Sequence, residues 1–152
     1  MDGRKRRYLQ IDALENRFLL AVAGFEFNLF EDVNGQPGSA IEQVVVDESF
    51  FVEITAQEFD PKAKGLAAVA LDIEWDPNAL QSLDAPFDPG QIITPNLSLF
   101  QLGELNQVDG LISNLSGVSP STVNNIGDGS AERFALLRFR AMQPGDSLLT
   151  MD

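Results

Sequence analysis

The sequence predicts an all-β fold, an antiparallel β-sandwich, and three observations carry that reading. Along residues 65–80, Val69, Leu71, Ile73 and Trp75 alternate with Ala68, Ala70, Asp72 and Glu74. Strict alternation over that length marks a half-buried strand, because successive side chains point to opposite faces of a sheet. Turn chemistry recurs at short intervals, at Asn34-Gly35, Pro37-Gly38, Asp60-Pro61, Asp76-Pro77-Asn78 and Pro144-Gly145-Asp146, as sandwiches of short strands require. No stretch shows a helical period of useful length.

Taken in order, a first strand places Phe25, Phe27 and Leu29 opposite in parity to Glu26, Asn28 and Phe30. Turns at Asn34-Gly35 and Pro37-Gly38 separate it from a second strand region over residues 41–57. There Phe50, Val52, Ile54 and Ala56 face one way and Phe51, Glu53, Thr55 and Gln57 the other. The central strand follows, and Asp76-Pro77-Asn78 stops it, since Pro lacks the N–H a ladder needs. Residues 92–94, 97–105 and 111–115 read as further strands, and residues 116–130, rich in Ser, Asn and Gly, as a long loop. Asn124, Asn125, Asp128 and Ser130 offer oxygen atoms there but lack the spaced acidic set of a calcium loop, so no metal site is expected. Ala135, Leu137, Phe139 and Ala141 then alternate with Phe134, Leu136, Arg138 and Arg140, and Leu148-Leu149-Thr150 opens the next strand. The expected core is Phe25, Phe27, Phe50, Val52, Ile54, Val69, Leu71, Ile73, Trp75, Leu137 and Phe139.

Composition narrows the chemistry. The chain has 152 residues, 44% of them hydrophobic, with eleven Phe; that suffices for one packed core. Cys and His are both absent, which excludes disulfides, thiolate ligands and a Cys nucleophile, and removes the commonest general base. The formal net charge is −13. Residues 1–17 hold five basic and three acidic residues, leaving five basic and twenty acidic ones, a net of −15, in the rest. A body so acidic repels phosphate backbones, so no nucleic-acid partner is expected. There is no Gly-x-Ser-x-Gly elbow or phosphate loop, and nothing singles out one carboxylate pair among the many acids. No enzymatic activity and no cofactor are expected.

The first two dozen residues follow no sandwich period. Arg4-Lys5-Arg6-Arg7 is followed by an apolar run interrupted by Asp12, Glu15 and Arg17, far too short to span a bilayer. The segment Leu14-Glu15-Asn16-Arg17-Phe18-Leu19-Leu20-Ala21 resembles the Leu-Glu-x-Arg-x-Leu-Leu-Ala signature near the N-termini of secreted planctomycete proteins. The resemblance implies export, processing near residues 21–23, and a secreted or cell-surface location. On that division, residues 1–23 are an export and processing segment and residues 24–152 form the sandwich domain; residues 1–22 are expected to lie outside the core, disordered or loosely helical.

The central strand carries a second resemblance. Gly65-Leu66, Trp75-Asp76-Pro77, Leu80, then Asp88-Pro89-Gly90 with Ile92-Ile93, are similar to an ordered set of motifs in cohesin domains. Phe139-Arg140-Ala141 and the turn at Pro144-Gly145-Asp146 extend the likeness, which covers residues 24–152. It implies a jelly-roll sandwich and a non-catalytic extracellular scaffolding or adhesion module with a dockerin-like protein partner. The partner-binding face would then be Ala68, Ala70, Asp72 and Glu74. Dockerin-binding members carry an Asn and an Asp where this chain has Ala68 and Ala70, neither of which can donate or accept a side-chain hydrogen bond. The alternative is a carbohydrate-binding module attached to an extracellular polysaccharide-degrading enzyme, with a polysaccharide as partner. Such modules present open aromatic rings, whereas the single Trp, Trp75, lies on the apolar parity of its strand; Phe30 and Phe51 are the remaining candidates. Cohesins also close with a strand beside the first one, and this sequence is expected to lack it, leaving the backbone of residues 25–30 unpaired on one side and open to self-association.

Overall fold

Turn residues set the strand boundaries in the computed structural model, which describes residues 6–13, 23–60, 62, 64–120 and 125–152. The described strands are β1 (Tyr8–Ala13), β2 (Ala23–Val33), β3 (Gln36–Ala40), β4 (Gln43–Val45), β5 (Ser49–Glu58), β6 (Ala68–Trp75), β7 (Leu80–Ser82), β8 (Phe100–Asn106), β9 (Leu111–Val118), β10 (Glu132–Ala141) and β11 (Gly145–Met151). A four-residue helix α1 (Pro89–Ile92) and a 3-10 turn (Pro95–Leu97) lie between β7 and β8. The strands form two facing sheets, β4-β1-β11-β6-β9-β8 and β3-β2-β5-β10-β7. Neighbours pair antiparallel except β1 with β11. The fold is the predicted antiparallel β-sandwich.

Each sheet contributes one apolar parity to the interior. On β6, Val69, Leu71, Ile73 and Trp75 are buried while the alternate residues are exposed. Phe50, Val52, Ile54, Leu137 and Phe139 are fully buried from the facing sheet, and Phe25 and Phe27 pack partly buried against them. Trp75 meets Phe139 edge-on, ring centres 5.0 Å apart at 75°, and Phe50 stacks on Phe139 at 6.1 Å. Such aromatic pairs add roughly 0.5–1.5 kcal/mol beyond the area they bury. All eleven core residues expected from the sequence are in the cluster or packed on it.

Two turns show how local chemistry fixes the path. Asn34 and Gly35 have φ of 53° and 82°, the left-handed pair that closes a two-residue hairpin in step with strand twist. Asp32 Oδ1 accepts the Gly35 N–H at 2.7 Å. At the end of β6, Trp75 N–H donates to the Gly110 carbonyl at 2.9 Å. Gly110 sits at φ 65°, and a Cβ there would run into the Trp75 carbonyl, so only glycine fits this turn.

The structure departs from expectation chiefly in four places, besides β8 starting at Phe100 and not at residue 97, and β9 running to Val118 into the expected loop. Residues 1–22 were expected outside the core, yet Tyr8–Ala13 is an interior strand of the six-stranded sheet, with Leu9 and Ile11 buried. Its Leu-x-Ile alternation is a strand period of only two apolar residues, overshadowed by the basic cluster before it. The export motif itself, residues 14–21, lies outside the described residues. Residues 41–57 divide instead of forming one strand region: the chain crosses between sheets at Ile41 and Glu42, so β3 and β4 belong to different sheets, and Pro37-Gly38 lies within β3. Residues 92–94 are not a strand; Asp88 caps α1, its Oδ1 accepting Gly90 N–H at 3.0 Å, with Pro89 in the first turn, a favoured start for a helix. Finally, the edge of β2 is half covered. Ile41 N–H donates to Leu29 O at 3.0 Å and β3 pairs with residues 30–33, whereas residues 23–28 have no strand on that side among the described residues.

Candidate partner-binding face

The four residues expected to meet a partner, Ala68, Ala70, Asp72 and Glu74, are all exposed on the outer face of β6. Cross-strand register extends them into rows. Ala68 pairs with Val118, which pairs with Phe100; Ala70 pairs with Ser116, which pairs with Leu102. Phe100 and Leu102 are 63% and 52% exposed, large values for apolar side chains. Along the strands this apolar end gives way to an acidic one, where Asp72 and Glu74 stand across β9 from Glu104 and Asn106. On the other flank Thr150 of β11 is register partner to Glu74, and Leu148 is exposed. Alanine methyls are small, so the sheet is open to close approach beside Phe100 and Leu102, whereas β11 flanks β6 only at the acidic end, along residues 73–75.

The charge of this face has one sign. None of β11, β6, β9 and β8 carries a Lys or Arg, while Asp72, Glu74, Glu104 and Asp146 lie on them. Asp72 also has a structural duty: its Oδ1 accepts the Asn114 N–H at 2.7 Å. Asn114 stands at φ 50°, where the β6–β9 register shifts between Leu71 and Ile73. The carboxylate thus anchors a β-bulge while contributing to the field.

The opposite outer face, on β2, β5 and β10, is arranged differently. Arg138 Nε donates to Asp32 Oδ2 at 2.8 Å, and Ser49 Oγ donates to the same oxygen at 2.7 Å. Arg133 Nε reaches Glu53 Oε2 at 2.7 Å, and the Arg138 guanidinium lies 5.7 Å above the Phe51 ring centre. Burial alone would raise the Asp32 pKa, but hydrogen bonds from Ser49, Arg138 and Gly35 and the charge of Arg138 hold it below the usual carboxylate value. Asp84 goes the other way: burial pushes it up, against the Arg138 N–H bond and charge. A groove of about 630 Å³ runs here past Phe51, Leu83, Asp84, Asp88 and Arg138, but its charged groups are already engaged: Arg138 with Asp32, Asp84 with the Arg138 N–H and Asp88 with the Gly90 N–H.

Trp75 is 5% exposed and offers no stacking platform for a sugar; Phe51 is buried beneath Arg138, and Phe30 is half-buried on β2. Among the described residues no group of three or more His, Cys, Asp or Glu is placed to hold a metal ion. Asn124, one of the loop oxygens considered, lies outside the described residues. No described helix is long and apolar enough to cross a membrane. Sequence reasoning assigned β6 to the face but missed Phe100, Leu102 and Leu148. The signal for the first two was present, since Phe100, Leu102, Glu104 and Asn106 share one parity of β8.

No family model and no curated protein sequence matches the chain. Solved structures do. The CaDoc0917–CaCohA2 complex matches at 18% identity and TM-score 0.50, over 70% of this chain and 73% of that one. The third cohesin of ScaC in complex with the ScaB dockerin, from Acetivibrio cellulolyticus, matches at 16% identity and TM-score 0.42, over 64% and 62%. A type II cohesin–X-dockerin complex from the same organism matches at 14% identity and TM-score 0.49, over 82% and 76%. At such identities the likeness is one of architecture: this chain is built on a cohesin-type β-sandwich.

Proposed function

We propose that this chain is a non-catalytic, exported interaction module that binds a dockerin-like protein through the outer face of β11, β6, β9 and β8. The observation that carries the reading is the one-signed face itself. An apolar end at Ala68, Ala70, Phe100 and Leu102 adjoins an acidic end at Asp72, Glu74 and Glu104, and no basic side chain on those strands neutralises it. Exposed apolar residues rimmed by charge are typical of protein-binding surfaces, and a field of one sign steers a partner of the other. The partner is therefore a module with an apolar ridge flanked by Lys or Arg. Ala68 and Ala70 cannot supply side-chain hydrogen bonds, so affinity rests on close packing and on charge.

Calorimetric titration with purified type I and type II dockerin modules tests this. Binding by at least one, weakened tenfold or more by Leu102→Asp and by Ala70→Arg, is the expected result. Failure of every dockerin to bind, or binding indifferent to both substitutions, overturns the assignment. Export is tested separately by mass spectrometry of the secreted protein, which should lack residues 1 to about 22; mature extracellular protein beginning at Met1 refutes it. Processing there cuts between β1 and β2, which removes the covalent tie holding Tyr8–Ala13 in its sheet.

A further inference from the structure

The segment Tyr8–Ala13 occupies an unusual place. It lies between β4 and β11, paired antiparallel with β4 from Tyr8↔Val45 to Gln10↔Gln43 and parallel with β11 from Leu9↔Gly145 to Ala13↔Leu149. Leu9 is fully buried and Ile11 nearly so, in one cluster with Val44 and Leu149. Parallel pairing is slightly weaker per residue than antiparallel. Withdrawing β1 breaks these two ladders and uncovers the site that Leu9 and Ile11 fill, but it breaks no ladder of the facing sheet. A groove of about 340 Å³ also runs beside the strand, lined by Gln10, Ile11, Phe27, Leu29, Ile41 and Glu42 among others. The seam between the sheets is therefore open where a strand would leave or enter.

The fit of β1 is incomplete. Ser147 stands opposite Ile11 in the register, is buried, and its Oγ has no hydrogen-bond partner. An unsatisfied buried hydroxyl is costly, and the Ile11 side chain cannot relieve it. Charge, by contrast, favours a strand with a basic leading end. Val46 N–H donates to the Arg7 carbonyl at 2.9 Å, which sets exposed Arg6 and Arg7 beside the stretch holding Asp47 and Glu48.

We propose that the slot between β4 and β11 is a strand-acceptor site. Tyr8–Ala13 fills it in the intact chain. Once the chain is cut between β1 and β2, the slot takes an extended peptide parallel to β11, with basic residues leading, an aliphatic side chain at the Leu9 position and Thr or an aliphatic residue at the Ile11 position. The occupant adds a strand by main-chain bonds, with the two inward positions giving specificity. The intact chain excludes it because its own strand competes at high effective concentration.

The test uses the full chain with a protease recognition sequence placed within residues 15–20 and cut after folding. The probe is a fluorescent peptide corresponding to residues 6–13, followed by anisotropy. The cut protein should bind it saturably, and the intact protein about a hundredfold more weakly or not at all. A peptide carrying Leu9→Asp and Ile11→Asp should not bind. A peptide with Ile11→Thr should bind about fivefold more tightly than its near-isostere with Ile11→Val, because the threonine hydroxyl can satisfy Ser147. The chain has no Cys, so the docking position is read from one disulfide: a peptide with Gln10→Cys should cross-link to Asp146→Cys, its register partner, and not to Glu104→Cys. The proposal is overturned if the cut protein unfolds, keeps its own fragment without exchange, binds the peptide no better than intact protein, or accepts the Asp-bearing peptide equally. These outcomes stand apart from dockerin binding, which is read on another face.

Discussion

The two outer faces of this sandwich are built from similar strands but differ in how their charges are partnered. On β2, β5 and β10 the charges are mixed and two pairs form, Arg138 with Asp32 and Arg133 with Glu53, with the Ser49 hydroxyl donating to Asp32 as well. On β11, β6, β9 and β8 the charges are all acidic and Phe100, Leu102 and Leu148 stand exposed. A face whose groups satisfy one another has little to offer a partner, since binding would break as much as it made. The other face has charge and apolar area left over. The difference comes from where the few cations fall. Arg133, Arg138 and Arg140 are all on β10, so one face pairs acids with its own cations and the other has no cation on its strands.

The comparison is broken most sharply at Asp32. Its side chain is only 4% exposed and accepts from Gly35 N, Ser49 Oγ and Arg138. Asp32→Ala strands these donors and should cost about 2 kcal/mol of stability by thermal or denaturant unfolding, with partner binding unchanged. Substitution on the other face should do the reverse. The double variant Phe100→Asp with Leu102→Asp should shift unfolding free energy by about 0.5 kcal/mol or less, while raising the partner's Kd at least tenfold, about 1.4 kcal/mol.

Acidity distinguishes two carboxylates on the self-paired side. The folded pKa of Asp32 lies below its unfolded value of about 3.9. Its contribution is therefore present above that value and lost as pH falls through the lower, folded one. The folded pKa of Asp84 is raised, so its contribution is full below the unfolded value and lost as pH rises through the folded one. Melting temperatures measured between about pH 2 and pH 7 should show Asp32→Asn flattening the acid limb. Asp84→Asn should instead remove the decline above about pH 4, gaining relative to wild type toward neutrality. The smallest effect is expected at Arg133, whose side chain is 44% exposed. Arg133→Ala should cost under about 1 kcal/mol and less still in high salt; a larger loss would mean that the paired face is more rigid than its exposure implies.

What the sequence determined by itself was whatever a period of two and a turn residue determine locally. Val69, Leu71, Ile73 and Trp75 had to share a face, and Ala68, Ala70, Asp72 and Glu74 the other. Asn34-Gly35 had to close a hairpin, and Phe50, Val52, Leu137 and Phe139 had to be interior. These follow from the pleat and from steric limits on φ, which act between near neighbours in the chain. Only the tertiary structure decided which strands stand side by side. Phe100 and Leu102 join Ala68 and Ala70 because β9 lies between β8 and β6, and Arg138 meets Asp32 across a separation of 106 residues. Leu9 and Ile11 were too short a pattern to be read as a strand, and they became one because β4 and β11 left a slot the width of a single chain. Pairing partners depend on closing long loops around a shared core, and that free energy is a property of the whole chain, not of any stretch within it.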